Sequence, residues 1–312
     1  MVLVVVAIGG NSLIKDRAHQ RVEDQYACLL ETCESIARVA DAGHRVVITH
    51  GNGPQVGFIL RRSELARHEL HEVPLSSCIA DTQGAIGFQI QEAMHTVQAR
   101  HRVRCDAVTV VTQVVVDPDD PAFGRPTKPI GSVLDEHTAR RRQREEGWTV
   151  AEDRNGGWRR VVASPRPLAI VELPAIRHLV EAGFVVVAVG GGGIPVAEGA
   201  DGALKAVDAV IDKDYASSLL ARDLDADLLV ISTGVDRVRL GYGTMHEKPL
   251  DQLSAEEARE HAAAGEFDEG SMLPKILASV EFVEATHQEA VICDPTHLLD
   301  AVGGTAGTRI IP

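Results

Sequence analysis

Residues 46–57 read VVITHGNGPQVG, and the passage from apolar to glycine-rich sequence in this stretch decides the fold. Val46, Val47 and Ile48 form the short β-branched run of a buried strand, and Gly51, Asn52, Gly53 and Pro54 then lead into a helical pattern. A strand, a bare-backbone turn and a helix are the parts of a ligand-binding crevice in an open α/β sheet. Neither standard phosphate loop accounts for the turn. A dinucleotide fingerprint needs G-x-G-x-x-G, whereas Gly51, Gly53 and Gly57 place the third glycine one residue late; a P-loop needs Gly-Lys, a dipeptide this chain lacks.

Working outward, apolar runs at 2–8, 45–49, 106–112, 185–189, 227–232 and 289–293 predict strands. Between them lie helical patterns at about 20–42, 54–68, 81–100, 172–183, 213–223, 254–264 and 271–286. This alternation predicts an α/β fold, an open, mainly parallel sheet sandwiched between helices, spanning residues 1–312. The pattern breaks in the middle, where DPDDPAFGRPTKPIG, the charged run DEHTARRRQREEG and both tryptophans, Trp148 and Trp158, predict a small inserted, protruding subdomain at about 115–165. No repeat or low-complexity segment is present.

The formal charge of −14, spread along the chain, argues against nucleic acid or an anionic membrane as partner, though a small anion can still be held by local donors. The five cysteines show no C-x-x-C pair or zinc spacing, which suits a reducing cytoplasm. His68 and His71 have no third ligand at metal spacing and read as solvated helix residues. The apolar start MVLVVVAIGG has no basic flank, is too short to span a bilayer and reads as the first strand.

Four expected strands end in glycine or small-residue turns: AIGGNS (7–12), THGNGPQVG (49–57), VGGGGIPV (189–196) and ISTGVD (231–236). One such turn needs no ligand to explain it, but four at the carboxyl ends of one sheet would line a single crevice whose N–H groups suit phosphate. With 25 arginines to six lysines, the lysines stand out. Lys213 lies between Asp212 and Asp214 at an expected helix start, Lys275 just inside another, and Lys128 near Pro126 and Pro129. Positioned cations of this kind stabilise the spread negative charge of a phosphoryl group in flight, and the Asp214 carboxylate is suited to fix two lysines. The competing reading of Asp212-Lys213-Asp214 is a helix cap with solvated charges.

Taken in order, AIGGNSL, ITHGNGPQVG, TQGAIGFQIQ, VTQVVVDPDDPAF with PTKPIG, GWRRVVASPRP, GGGGIPV, AVIDKDYAS, ISTGVD and GSMLPKI resemble the carbamate kinases of the amino-acid kinase family over nearly the whole chain. The resemblance implies a homodimer and the reaction ATP + carbamate ⇌ ADP + carbamoyl phosphate with Mg²⁺ and no dedicated protein metal site. It implies that Gly9, Gly10, Asn11, Gly51, Asn52 and Gly53 cradle the acceptor and transferred phosphoryl, that Lys128 and Lys213 stabilise the transition state, and that Asp214 orients the lysines. Gly191, Gly192, Thr233, Asp236, Tyr242, Met272 and Lys275 would contact the nucleotide.

Acetylglutamate-type kinases carry a catalytic lysine in the first strand, whereas this chain reads VLVVVAIGG there. Lys128 is the candidate to supply that charge, which favours carbamate over larger acceptors. Two other readings remain: a family member acting on a different small carboxylate or phosphate, and a catalytically silent nucleotide sensor.

Overall fold

The computed structural model describes residues 1–10, 13–14, 18–153 and 156–312. The first strand, Leu3–Ile8, is buried along its whole length. Leu3, Val5 and Ala7 point into one core, while Val4, Val6 and Ile8 point into another. A strand packed on both faces has no solvent side to make polar, which is why LVVVAI is continuously apolar. Each fully buried aliphatic side chain of this kind contributes about 1.5–3 kcal/mol. Helices Leu173–Glu181, Lys213–Asp223, Ala255–Ala263 and Met272–Thr286 cover the first core; Val22–Asp41, Leu75–His101 and Leu298–Val302 cover the second.

The main sheet has eight strands, in the order Gln252–Ser254, Thr308–Ile311, Glu289–Cys293, Leu228–Ser232, Leu3–Ile8, Arg45–His50, Val185–Val187, Ala107–Thr109. From Glu289–Cys293 onward the strands run parallel, and Thr308–Ile311 is antiparallel to its neighbour Glu289–Cys293. The fold is therefore α/β with a mostly parallel sheet between helices.

One expected strand is divided. Instead of a single run over 106–112, Ala107–Thr109 lies in the main sheet and Gln113–Val116 in a separate four-stranded sheet with Ile194–Glu198, Leu204–Ala206 and Pro167–Ile170. Thr112 sits fully buried at the break, its hydroxyl donating to Val110 O at 2.8 Å and accepting from Val189 N at 3.0 Å, so local side-chain bonds replace the ladder there.

Beyond Val116 the chain builds a third sheet, ordered Lys128–Leu134, Trp158–Val162, Val150–Glu152, with helix Glu136–Glu146 beside it. This unit shares a core with the main body, because Ile130 and Val162 pack with Val56, Leu75, Cys78 and Ile79. Ion pairs Arg67–Glu146 at 2.8 Å and Arg160–Asp208 at 3.1 Å also tie it down. Among the described residues no helix is long and apolar enough to cross a membrane.

Candidate active site

Strand register sets the site. Ile8 pairs with both His50 and Ser232, so the chain leaves the sheet at one level into Gly9–Gly10, Gly51–Gly53 and Thr233. A cleft of about 800 Å³ opens at this carboxyl edge, and its lining includes Gly10, Gly51, Asn52, Gly53 and Gly191 together with Lys128, Lys213, Asp214 and Lys275.

The charged residues form a connected network. Asp212 is the N-cap of helix Lys213–Asp223, its Oδ1 accepting from Asp214 N at 2.9 Å, so the capping reading holds for this residue. It does not hold for the next two, whose side chains are only 12% and 5% exposed. Lys213 Nζ donates to Asp214 Oδ1 at 2.5 Å and Lys275 Nζ donates to Oδ2 at 3.2 Å, so one carboxylate bridges two ammonium groups. Lys128, at the start of the third sheet, donates to Asp212 Oδ2 at 2.6 Å.

Burial pushes the Asp214 carboxyl up, but the Lys213 and Lys275 charges outweigh it and hold the group well below the usual carboxylate range. Burial pulls the Lys213 ammonium down, Asp214 offsets part of that, and Lys275 adds repulsion. The Lys213 stem runs past Gly51, whose Cβ, if present, would lie 3.9 Å from its Cδ.

The turn after Val185–Val187 is shaped by close approach. Val189 has φ +52, a left-handed conformation that costs a β-branched residue about 1–3 kcal/mol. Gly191 has φ +66, and a Cβ there would stand 2.0 Å from Asn52 Nδ2; at Gly192, φ +91, it would stand 2.3 Å from Ile211 O. Only glycine fits positions that combine this backbone with such neighbours.

Several expected residues lie outside this cleft lining. Gly9 faces the neighbouring strand end, where a Cβ would meet Ser232 O at 3.0 Å, and Gly192 turns toward Ile211. Thr233 continues from Ser232, its N–H donating to Cys293 O at 2.8 Å. Asp236 pairs with Arg239 at 3.0 Å and lines a separate recess with Asp294 and His297. Tyr242 is 71% exposed, and Met272 packs partly against the first core. Asn11 lies outside the described residues.

The amino acid kinase family model matches residues 2–294. The chain belongs to the amino acid kinase family. It is 47% identical to the carbamate kinase-like protein YahI of Escherichia coli (strain K12), over 99% of this chain and 98% of that one. It is 42% identical to a carbamate kinase of Pyrococcus horikoshii, over 99% of both. Its structure superposes on a carbamate kinase from Giardia lamblia bound to AMP-PNP with a TM-score of 0.93, at 38% identity and with 99% and 98% of the two chains covered. The chain is thus a carbamate kinase-like amino acid kinase.

Next to this cleft lining, at the end of strand Arg45–His50, lies a buried titratable group that the reading of the sequence passed over. His50 is 1% exposed, its Nδ1 lies 2.9 Å from Gly51 O, and a Cβ at Gly190 would meet its Nε2 at 2.4 Å. The only signal was its place in THGNG, directly before the glycine turn. Burial lowers its pKa to about 4, against the raising effect of the Gly51 carbonyl and with a further lowering by Lys213. The ring is therefore neutral, and Nδ1–H donates to Gly51 O.

Above pH 6.5 the folded and unfolded chains both carry neutral His50 and its titration costs nothing. As pH falls below 6.5 the unfolded chain takes up a proton that the fold refuses until about pH 4, so stability is lost across that window. Urea unfolding at pH 7.5 and pH 5 should show His50→Asn sparing about 2 kcal/mol of the acid loss seen in the parent. Equal losses in the two proteins would contradict a buried neutral ring.

Proposed function

We propose that this protein is a carbamate kinase, catalysing reversible phosphoryl transfer between ATP and carbamate and working in the cytoplasm mainly to make ATP from carbamoyl phosphate. The observation that carries this reading is the Lys213–Asp214–Lys275 bridge, which lines one cleft together with Lys128 and the glycine turns. An ammonium has three donors, and Asp214 occupies one on Lys213 and one on Lys275, while Ser271 O accepts another from Lys275 at 3.0 Å. The remaining N–H groups are available to phosphoryl oxygens.

In this account Lys213 and Lys128 neutralise charge on the transferred group, Lys275 holds the nucleotide phosphates, and Asp214 keeps the two lysines it touches fixed before substrate arrives. Gly10, Gly51, Asn52 and Gly53 cradle the acceptor, and Asn11, outside the described residues, is assigned the same role. Gly191 walls that cradle, and Gly9 and Gly192 shape its turns. Thr233, Asp236, Tyr242 and Met272, outside the lining of this cleft, would meet the nucleoside end. The unit at 115–165 acts as a lid that brings Lys128 over the acceptor and excludes water from a mixed anhydride. The working form is a homodimer.

Asp212 and Asp214 are both occupied by lysines, so Mg²⁺ would be held by nucleotide phosphates and water. There it supplies further neutralisation of phosphate charge. ATP formation should accordingly stop on chelation and return with added Mg²⁺; full turnover after exhaustive chelation would overturn this role.

A different acceptor is favoured by one feature. The cleft continues to Arg61 and Arg159, which carbamate has no second anionic group to engage. A panel of carbamoyl phosphate, acetyl phosphate and a longer dicarboxylic acyl phosphate, each with ADP and Mg²⁺, decides between the readings. Carbamate kinase predicts the highest kcat/KM for carbamoyl phosphate, and a preference for the longer compound would replace it.

A further inference from the structure

We propose that Thr82 is a positioning residue for the acceptor, fixing which end of the Asn52 amide faces into the cleft. This rests on the reading of Asn52 as part of the acceptor cradle. Thr82 lies on helix Leu75–His101, 1% exposed, and Asn52 is 6% exposed. The Thr82 hydroxyl donates to Ile79 O at 2.7 Å and accepts from Asn52 Nδ2 at 2.8 Å.

A hydroxyl has a single proton. With that proton on Ile79 O, lone pairs face Asn52 and the NH₂ end is turned toward Thr82. The flipped amide would be bonded by Thr82 only if the hydroxyl turned its proton from Ile79 O to the Asn52 carbonyl oxygen, giving up the bond to Ile79 O. Gly191 also packs against the amide, where a Cβ would lie 2.0 Å from Nδ2 and 2.7 Å from Oδ1. Asn52 is thereby held by a hydroxyl and a bare backbone, with one N–H and its carbonyl oxygen in a fixed arrangement at the cleft wall.

The next residue locks the helix against the same turn. Gln83 Nε2 donates to Gly190 O at 3.0 Å and to Thr112 O at 3.1 Å, and its Oε1 accepts from Thr112 N at 2.7 Å. Thr82 thus orients the amide from a helix that Gln83 registers on the glycine turn, which explains why TQ lies far from the glycine loops in sequence yet belongs to the site.

Two substitutions separate the hydroxyl from the packing. Thr82→Val keeps the volume and removes the acceptor, whereas Thr82→Ser keeps the hydroxyl. With ADP, Mg²⁺ and carbamoyl phosphate, Thr82→Val should lower kcat by about 10- to 100-fold while the KM for ADP moves less than about twofold. Thr82→Ser should stay within about threefold of the parent.

A second readout does not depend on turnover. The chain has three asparagines, Asn11, Asn52 and Asn155, so ¹⁵N-asparagine labelling gives three side-chain amide pairs, with Asn52 assigned by its loss in Asn52→Asp. The Asn52 pair should be protected from solvent exchange in the parent and in Thr82→Ser, and unprotected in Thr82→Val. Unchanged protection in Thr82→Val, or equal loss of kcat in the serine and valine variants, overturns the proposal. If the parent itself makes no ATP, the acceptor reading fails, and the amide signal alone then decides whether Thr82 holds Asn52.

Discussion

Lys213→Ala is expected to lower kcat for ATP formation by about 10²-fold or more, with a much smaller change in the KM for ADP. The side chain is 12% exposed, its stem lies against Gly51 and its ammonium is fixed by Asp214 at 2.5 Å, so the charge is positioned before substrate arrives. A preorganised cation of this kind is felt most where phosphoryl charge is spread, in the transition state, and water in the vacated space cannot replace it. Lys205 provides the control: it lies exposed on strand Leu204–Ala206, and Lys205→Ala should leave kcat within about twofold. Steady-state kinetics on the two variants checks the claim, and similar losses in both would contradict it.

Asp214→Ala should cost about 3–5 kcal/mol of stability as well as activity. The carboxylate is 5% exposed and bridges two ammonium groups, so its removal leaves both cations in a partly buried site with no compensating anion. Lys213, whose ammonium burial already pulls down, loses the partner that offsets that effect, so its pKa falls further. Asp214→Asn keeps the shape but not the charge and should fall between parent and alanine variant. Urea unfolding at pH 7.5 measures this; a loss below about 1 kcal/mol in Asp214→Ala would show the bridge to be solvated, as an exposed ion pair is.

The sheet was legible because its strands obey a simple rule. Continuous apolar runs such as LVVVAI and RVVITH mark strands packed on both faces, and each glycine turn after them marks a carboxyl end. The helix start at Lys213 was legible from Asp212, a capping residue placed just before it. What sequence could not show were bonds between distant segments. The break at Thr112 depends on Val189 and Gln83, and the partner of Lys128 turns out to be Asp212, which also caps the helix. His50 and Thr82 carry no periodic or spacing signal; their importance comes from burial beside the glycine turns. The nucleotide end was the least legible part. Neighbourhood in sequence to ISTGVD and GSMLPKI did not bring Asp236, Tyr242 or Met272 into the cleft lining that holds Lys275.

The central claim is that this lysine-rich cleft moves a phosphoryl group between carbamate and nucleotide. Purified protein incubated with ADP, Mg²⁺ and carbamoyl phosphate, with ATP followed by a coupled luminescent assay, tests it most directly. The account predicts ATP formation well above the enzyme-free rate and its near-abolition in Lys213→Ala. No ATP above the enzyme-free control from the folded parent protein would contradict it.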